Sequence, residues 1–246
     1  MKFLVISDLH YDRRVFRGVD ESVAWGWLLD IVGFHRPDVL LCCGDWGTAI
    51  SIEEFGELLR CTLVLSIYGN HERMDVLGGL WNTREPGLPV LMRDGEIYVL
   101  GGLRIAGVNG IVSPRDGVVG GVPRRTPEEF LRIASMLRGK RVDLLLMHET
   151  PCLPSLFPFM QETINCRTAF RAAEIVRPRI LVNGHMHSGG YKTTILPWGT
   201  RYIYIDTSQQ NRHYLTIQTR ENQAIIQAWK DYHTIAKPIT IELEYV

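Results

Sequence analysis

Phe3-Leu-Val-Ile-Ser-Asp-Leu-His10 opens with an apolar run of strand length and ends on an aspartate and a histidine two positions apart. A run that short and that uniformly apolar is the pattern of a strand covered on both faces. The same grammar recurs along the chain. Val39 to Cys43 leads into Gly44-Asp45, Leu63 to Ile67 into Gly69-Asn-His-Glu72, Leu144 to Met147 into His148, and Ile180 to Asn183 into Gly184-His-Met-His187. Helix candidates lie between these strands. Val23, Ala24, Trp27, Leu28, Ile31 and Val32 recur one turn apart until Pro37 ends the segment. Ser51 and Glu54 have the spacing of a reciprocal N-terminal cap for a helix to about Arg60, Thr126-Pro127 starts another, and Arg167 to Val176 is a further one. Alternating strands and helices predict an α/β fold with helices packed on sheet.

Shorter strands are expected at Val90 to Arg93, Ile97 to Leu100 and Arg104 to Val108, joined as hairpins at Asp94-Gly95 and Gly101-Gly102. A glycine-rich loop from Asn109 to Arg125 follows; loops of that length inside a domain tend to carry function. From Tyr191 the pattern becomes purely alternating, with strands expected at Tyr202 to Ile205, Tyr214 to Gln218, Ala224 to Trp229 and Ile239 to Glu244. No internal repeat or linker interrupts the chain, so residues 1–246 read as one domain.

The composition narrows the partners. Twenty-seven basic residues balance 27 acidic ones, so the overall charge asks for no polyanion. No apolar run approaches the ~18 residues of a membrane span, and the first strand follows Met1-Lys2 at once, so a cytoplasmic protein without a membrane partner is expected. Five cysteines without metal-ligand spacing read as free thiols.

Residues at the carboxyl ends of neighbouring strands in an α/β sheet meet in one crevice, so the five strand-end segments can build one site. Asp8 and His10, like His185 and His187, are two apart and would share a face of an extended backbone. Two carboxylates, one amide and five of the chain's eight histidines collect there. Imidazole and carboxylate donors without thiolate suit divalent Mn, Fe, Ni or Zn, and more than four donors implies two ions. Glycines before Asp45, Asn70 and His185 let the backbone turn sharply towards them.

The order D-x-H, G-D, G-N-H-[DE], H, G-H-x-H resembles the signature of the calcineurin-like metallophosphoesterase superfamily, spanning Asp8 to His187. The resemblance implies a four-layer αββα sandwich, two mixed β-sheets flanked by helices, with the tail from residue 191 to 246 completing the second sheet. It also implies that Asp8, His10 and His187 hold one metal, that Asn70, His148 and His185 hold the second, and that Asp45 bridges them. Manganese is the favoured ion. Hydroxide shared by the two ions would attack phosphorus in line, and His71, which is no ligand, would stabilise or protonate the leaving oxygen. Glu72 is expected to play a structural part, orienting His71 or capping the next helix.

One departure separates the branches of the family. Protein phosphatases resemble G-D-x-V-D-R-G in the second block, whose arginine grips phosphate; here Gly44-Asp-Trp-Gly-Thr-Ala49 has none. A phosphodiester or small nucleotide is therefore the expected substrate. Nuclease action on long DNA is disfavoured, because the one cationic concentration, Ser113 to Arg141, carries seven basic against three acidic residues. A non-catalytic protein-binding scaffold, like the retromer scaffold subunit, is disfavoured because every ligand position and His71 are retained. Arg13 and Arg115, with Arg14 and Arg124, are candidates for holding a non-reacting anionic group of the substrate, and Trp46 either stacks on a base, lines the cleft or packs in the core.

Overall fold

The computed structural model describes residues 1–243. In chain order the strands are β1 (Lys2–Ile6), β2 (Val15–Phe16), β3 (Val19–Asp20), β4 (Val39–Cys42), β5 (Leu63–Ser66), β6 (Tyr98–Leu100), β7 (Leu103–Val108), β8 (Gly117–Val119) and β9 (Val122–Arg124). They continue with β10 (Leu144–Met147), β11 (Ile180–Asn183), β12 (Tyr191–Ile195), β13 (Arg201–Ile205), β14 (His213–Arg220), β15 (Gln223–Lys230), β16 (His233–Thr234) and β17 (Ile239–Glu242). The helices are α1 (Ala24–His35), α2 (Ile52–Cys61), α3 (Met74–Leu77), α4 (Pro127–Met136) and α5 (Ile164–Val176). The expected last strand ran to Glu244, which lies outside the described residues, as do positions 245 and 246 of the expected domain.

Two mixed sheets form. The first runs β16-β15-β14-β1-β4-β5, with β17 also paired to β15, and the second runs β12-β13-β11-β10-β7-β6. Strands β1, β4 and β5 are parallel, as are β7, β10, β11 and β13. Ile6 therefore lies opposite Cys42 and Cys42 opposite Ser66, which brings the residues that follow these strands to one edge.

Alternation of side chains sets the layers. Phe3, Val5, Leu41 and Leu65 meet Leu144, Leu146, Ile180 and Val182 between the sheets. Their neighbours Leu4, Ile6, Leu40 and Val64 pack outward on Leu28 and Ile31 of α1 and Phe55 of α2. Leu145 and Leu181 pack on Phe130 of α4 and Ala169 of α5. Each central strand is buried on both faces, which is why it reads as an unbroken apolar run. The result is the αββα sandwich.

Three expectations change. Val90 to Arg93 forms only an isolated bridge, Ser66 to Leu91, because Asp94 accepts the backbone and side-chain N–H groups of Asn109 instead of turning a hairpin. The loop from 109 to 125 contains the β8–β9 hairpin, turned at Gly120-Gly121. The tail does not simply complete the second sheet. Its β12 and β13 join that sheet, whereas β14 pairs with β1 and carries β15 to β17 into the first.

Candidate metal centre

Asp8, His10, Asp45, His185 and His187 all adopt left-handed backbone, with φ between 45° and 77°. Such conformations are costly for residues with a Cβ and persist where the surrounding structure holds them in place. Here they follow β1 and β4 of the first sheet and β11 of the second, beyond the carboxyl ends of the strands. Convergence of the i, i+2 pairs thus comes from left-handed turns beyond the strand ends, and the extended-backbone reason given by the sequence does not apply. The glycines also divide: Gly44 needs its φ of 97°, whereas Gly69 and Gly184 have negative-φ backbone and are required for space. A Cβ on Gly69 would collide with Asp45 Oδ1 and His148 Nε2, and one on Gly184 with Asp8 Oδ2 and Ser7 Oγ. Gly184→Ala should therefore destabilise the metal-free protein by about 1–3 kcal/mol through overpacking. Urea unfolding measures this, and a midpoint equal to wild type would contradict the collision.

Donor atoms of Asp8, His10 and His187 lie within 4.8 Å of one another, and so do those of Asp45, His148 and His185. The two groups touch through Asp45. Its Oδ2 is 3.5 Å from His10 Nε2 and 3.3 Å from His148 Nε2, while Oδ1 accepts the backbone N–H groups of Asn70 (2.6 Å) and His71 (2.8 Å). His10 Nε2, Asp45 Oδ2 and Asn70 Oδ1 are buried without a hydrogen-bond partner. Orphaned buried acceptors are costly, and three of them around one point are what an absent cation would satisfy.

The imidazoles divide by protonation. Burial pushes His10 down to about 4 and His185 to about 3, the latter helped by the neighbouring His148. Both are neutral at pH 7, as metal ligation requires. Burial also pushes Asp8 up to about 6 and would lower His148, yet Asp45, Asp8 and the Cys43 carbonyl hold that imidazole at about 10. Burial would raise Asp45 too, but His148 keeps its carboxylate well below the usual range. His148 Nδ1 donates to Cys43 O at 2.8 Å, which leaves Nε2 facing the cluster.

His71 belongs to neither group. Its ring centroid is 5.1 Å from that of His10, and it lines a cavity of about 370 Å³ with His10 and His187. Glu72 neither orients His71 nor caps a helix: Oε1 accepts from Asp45 N (2.6 Å) and Gly69 N (3.0 Å), and Oε2 from Trp46 N (3.2 Å), tying two ligand loops together.

The expected substrate contacts need correction. Trp46 is fully buried, with Nε1 donating to Ser66 Oγ at 2.8 Å and the ring 5.0 Å from Phe55, so it is core and cannot stack on a base. Arg13 and Arg115 are exposed and neither lines the cavity, where Arg14 and Arg17 stand instead. Of the remaining candidates Arg14 lines the cavity, and Arg124 lies outside its lining but within electrostatic reach of Asp45. Burial lowers its pKa while Asp45 and Glu149 raise it, and its Nη1 is buried without a hydrogen-bond partner.

Sequence reasoning missed Asp206. It is fully buried directly after β13, and its Oδ2 lies 3.4 Å from His187 Nδ1, fixing that ring with Nε2 towards Asp8. The signal was available, since Asp206 is a sixth polar residue at the carboxyl end of an apolar strand.

A two-sheet sandwich with paired carboxylate–imidazole clusters on its strand ends is a scaffold built to hold two cations. The family model for calcineurin-like phosphoesterases matches residues 1–189, and the chain belongs to that family. Among solved structures it is similar to a dimetal phosphatase from Danio rerio, at 14% identity over 99% of both chains with a TM-score of 0.62. It is also similar to the NAD nucleotidase of Haemophilus influenzae, at 14% identity over 99% of this chain and 56% of that one, TM-score 0.52. Vacuolar Protein Sorting 29 from Cryptosporidium parvum aligns at 12% identity over 98% and 97%, TM-score 0.50. At these identities the likeness is one of fold. No curated protein matches the chain.

Proposed function

We propose that the chain is a metal-dependent hydrolase of phosphate esters, acting on a phosphodiester or small nucleotide with two divalent ions, Mn²⁺ the favoured pair. Asp8, His10 and His187 would hold one ion, Asn70, His148 and His185 the other, and Asp45 both. The observation that carries this reading is the position of Asp45 Oδ2, buried, unpartnered and within 3.5 Å of an imidazole of each group. When bound, the ions supply Lewis acidity to phosphoryl oxygens and activate water.

The protein's own groups supply the rest. His71, beside His10 at the cavity, is placed to donate a proton or hydrogen bond to the leaving oxygen. Arg124 brings a half-buried cation whose Nη1 has no hydrogen-bond partner, suited to a phosphoryl oxygen. Arg124→Ala is expected to lower kcat/KM by about 10- to 100-fold, the scale of a lost charged hydrogen bond. An unchanged kcat/KM would remove Arg124 from the site.

Hydrolysis of a chromogenic diester with and without Mn²⁺ tests the function, and comparison with the matching monoester tests the diester preference. Absence of turnover with Mn, Fe, Ni and Zn would favour a non-catalytic scaffold. A small cavity bounded by the β2–β3 hairpin supports a small substrate over long DNA. Among the described residues no helix is long and apolar enough to cross a membrane. We extend the reading to a cytoplasmic setting, which five free thiols support.

A further inference from the structure

The cavity beside His71 has a wall that the metal cluster does not explain. Val15 pairs with Asp20 and Phe16 with Val19 across a two-residue turn, Arg17-Gly18, whose φ values of 50° and 79° mark a tight hairpin turn that holds its strands rigidly. The hairpin is anchored at its base, where Glu21 N donates to Arg14 O at 3.0 Å and Arg14 Nε donates to the buried Glu21 carboxylate at 2.7 Å. At its tip Phe16 remains 46% exposed although it lines the cavity, and the guanidinium carbons of Arg14 and Arg17 each lie 5.1 Å from its ring centre. A ring that lines a cavity among guanidinium groups offers a stacking surface to a planar group.

The opposite wall points to what covers it. Ser208, Gln209 and Gln210 follow Asp206, the residue that fixes His187, so this wall and the metal cluster are built as one unit. Gln209 is only 7% exposed. Its Oε1 accepts from Arg212 Nε at 3.1 Å, which sets the amide orientation, and its Nε2 is left buried with no partner. A buried amide N–H₂ without an acceptor is costly, and it is resolved by a ligand oxygen or ring nitrogen.

We infer that this cavity is a nucleobase subsite: the base of a nucleoside-bearing phosphodiester lies against Phe16 and the guanidinium planes of Arg14 and Arg17, and a base acceptor takes the Gln209 amide. The inference rests on the phosphodiesterase reading and names its substrate class. An aliphatic diester would leave both the ring and the amide uncovered. The volume of about 370 Å³ lies at the low end for small-molecule sites, fitting one nucleoside unit.

The test compares thymidine 5′-(4-nitrophenyl) phosphate with methyl 4-nitrophenyl phosphate, which share a leaving group and differ in carrying a nucleoside or a methyl group, so the Phe16 variant assigns the difference to the base. Wild type should prefer the thymidine ester by about tenfold or more in kcat/KM, mainly through KM, the scale of one base–aromatic stack. Phe16→Ala, at an exposed position, should erase about tenfold of that preference. Equal kcat/KM for the two esters in wild type, or a preference that survives Phe16→Ala, would overturn the subsite while leaving the hydrolase intact. If neither ester is turned over, the hydrolase reading falls, and equilibrium binding of thymidine 5′-monophosphate against methyl phosphate still reads the subsite. About tenfold tighter binding of the nucleotide supports it, and equal binding overturns it.

Discussion

Asp45→Ala is expected to empty both metal positions together. Asp45 Oδ2 stands 3.5 Å from His10 in one group and 3.3 Å from His148 in the other, at 1% exposure, while Oδ1 pins the backbone of Asn70 and His71. Substitution removes a donor shared by both ions, the charge that holds His148 as it is, and two hydrogen bonds that place the Asn70 loop. Metal content measured after desalting should fall at least about tenfold at both positions, because a lost shared donor costs more affinity than the 10- to 100-fold typical of an outer partner. Asp206→Asn provides the contrast. It keeps all seven donor side chains, and of those seven Asp206 contacts His187 alone, its other partners being Ser208 N and Asn211 Nδ2, so the change should weaken one ion and spare the other. Full occupancy of both positions in Asp45→Ala would reject the bridging role.

The contrast between these two aspartates also shows what the sequence made legible. Strands buried on both faces write themselves as unbroken apolar runs, so Ile6, Cys42, Met147 and Asn183 could be recognised as strand ends and the polar residues beyond them as one site. Asp206 follows the same rule, but its strand lies where alternation replaces solid apolar runs, and no histidine accompanies it. For Trp46 the sequence left core and cleft both open, for a different reason. Its neighbour Asp45 faces the crevice, yet the left-handed turn at Asp45 and the Glu72 hydrogen bond to Trp46 N send the indole into the core. Exposure of a side chain next to a ligand depends on one backbone angle that residue type alone does not encode. Phe16 escaped notice because a two-residue strand leaves no period to read; only the turn at Arg17-Gly18 marks it, and an Arg at positive φ is an uncommon signal.

His71→Ala should do the opposite of Asp45→Ala, leaving both ions in place while catalysis collapses. The imidazole of His71 is not among the donors that converge within 4.8 Å, and its backbone N–H, which anchors Asp45 Oδ1, survives the substitution. Its ring sits against His10 at the margin of the cavity, within reach of a group bound at the cluster. Loss of a positioned proton donor costs about 10²- to 10⁴-fold in rate, and the cost depends on the leaving group. An alkoxide needs a proton as the bond breaks, whereas 4-nitrophenolate leaves readily without one. The fall in kcat should therefore be steep for a diester with an alkyl leaving group and much shallower for its 4-nitrophenyl counterpart, with metal content equal to wild type in both assays. A uniform loss across leaving groups would make His71 a positioning residue for the phosphate, and loss of metal would make it a ligand; either result would displace it from the proton-donor role.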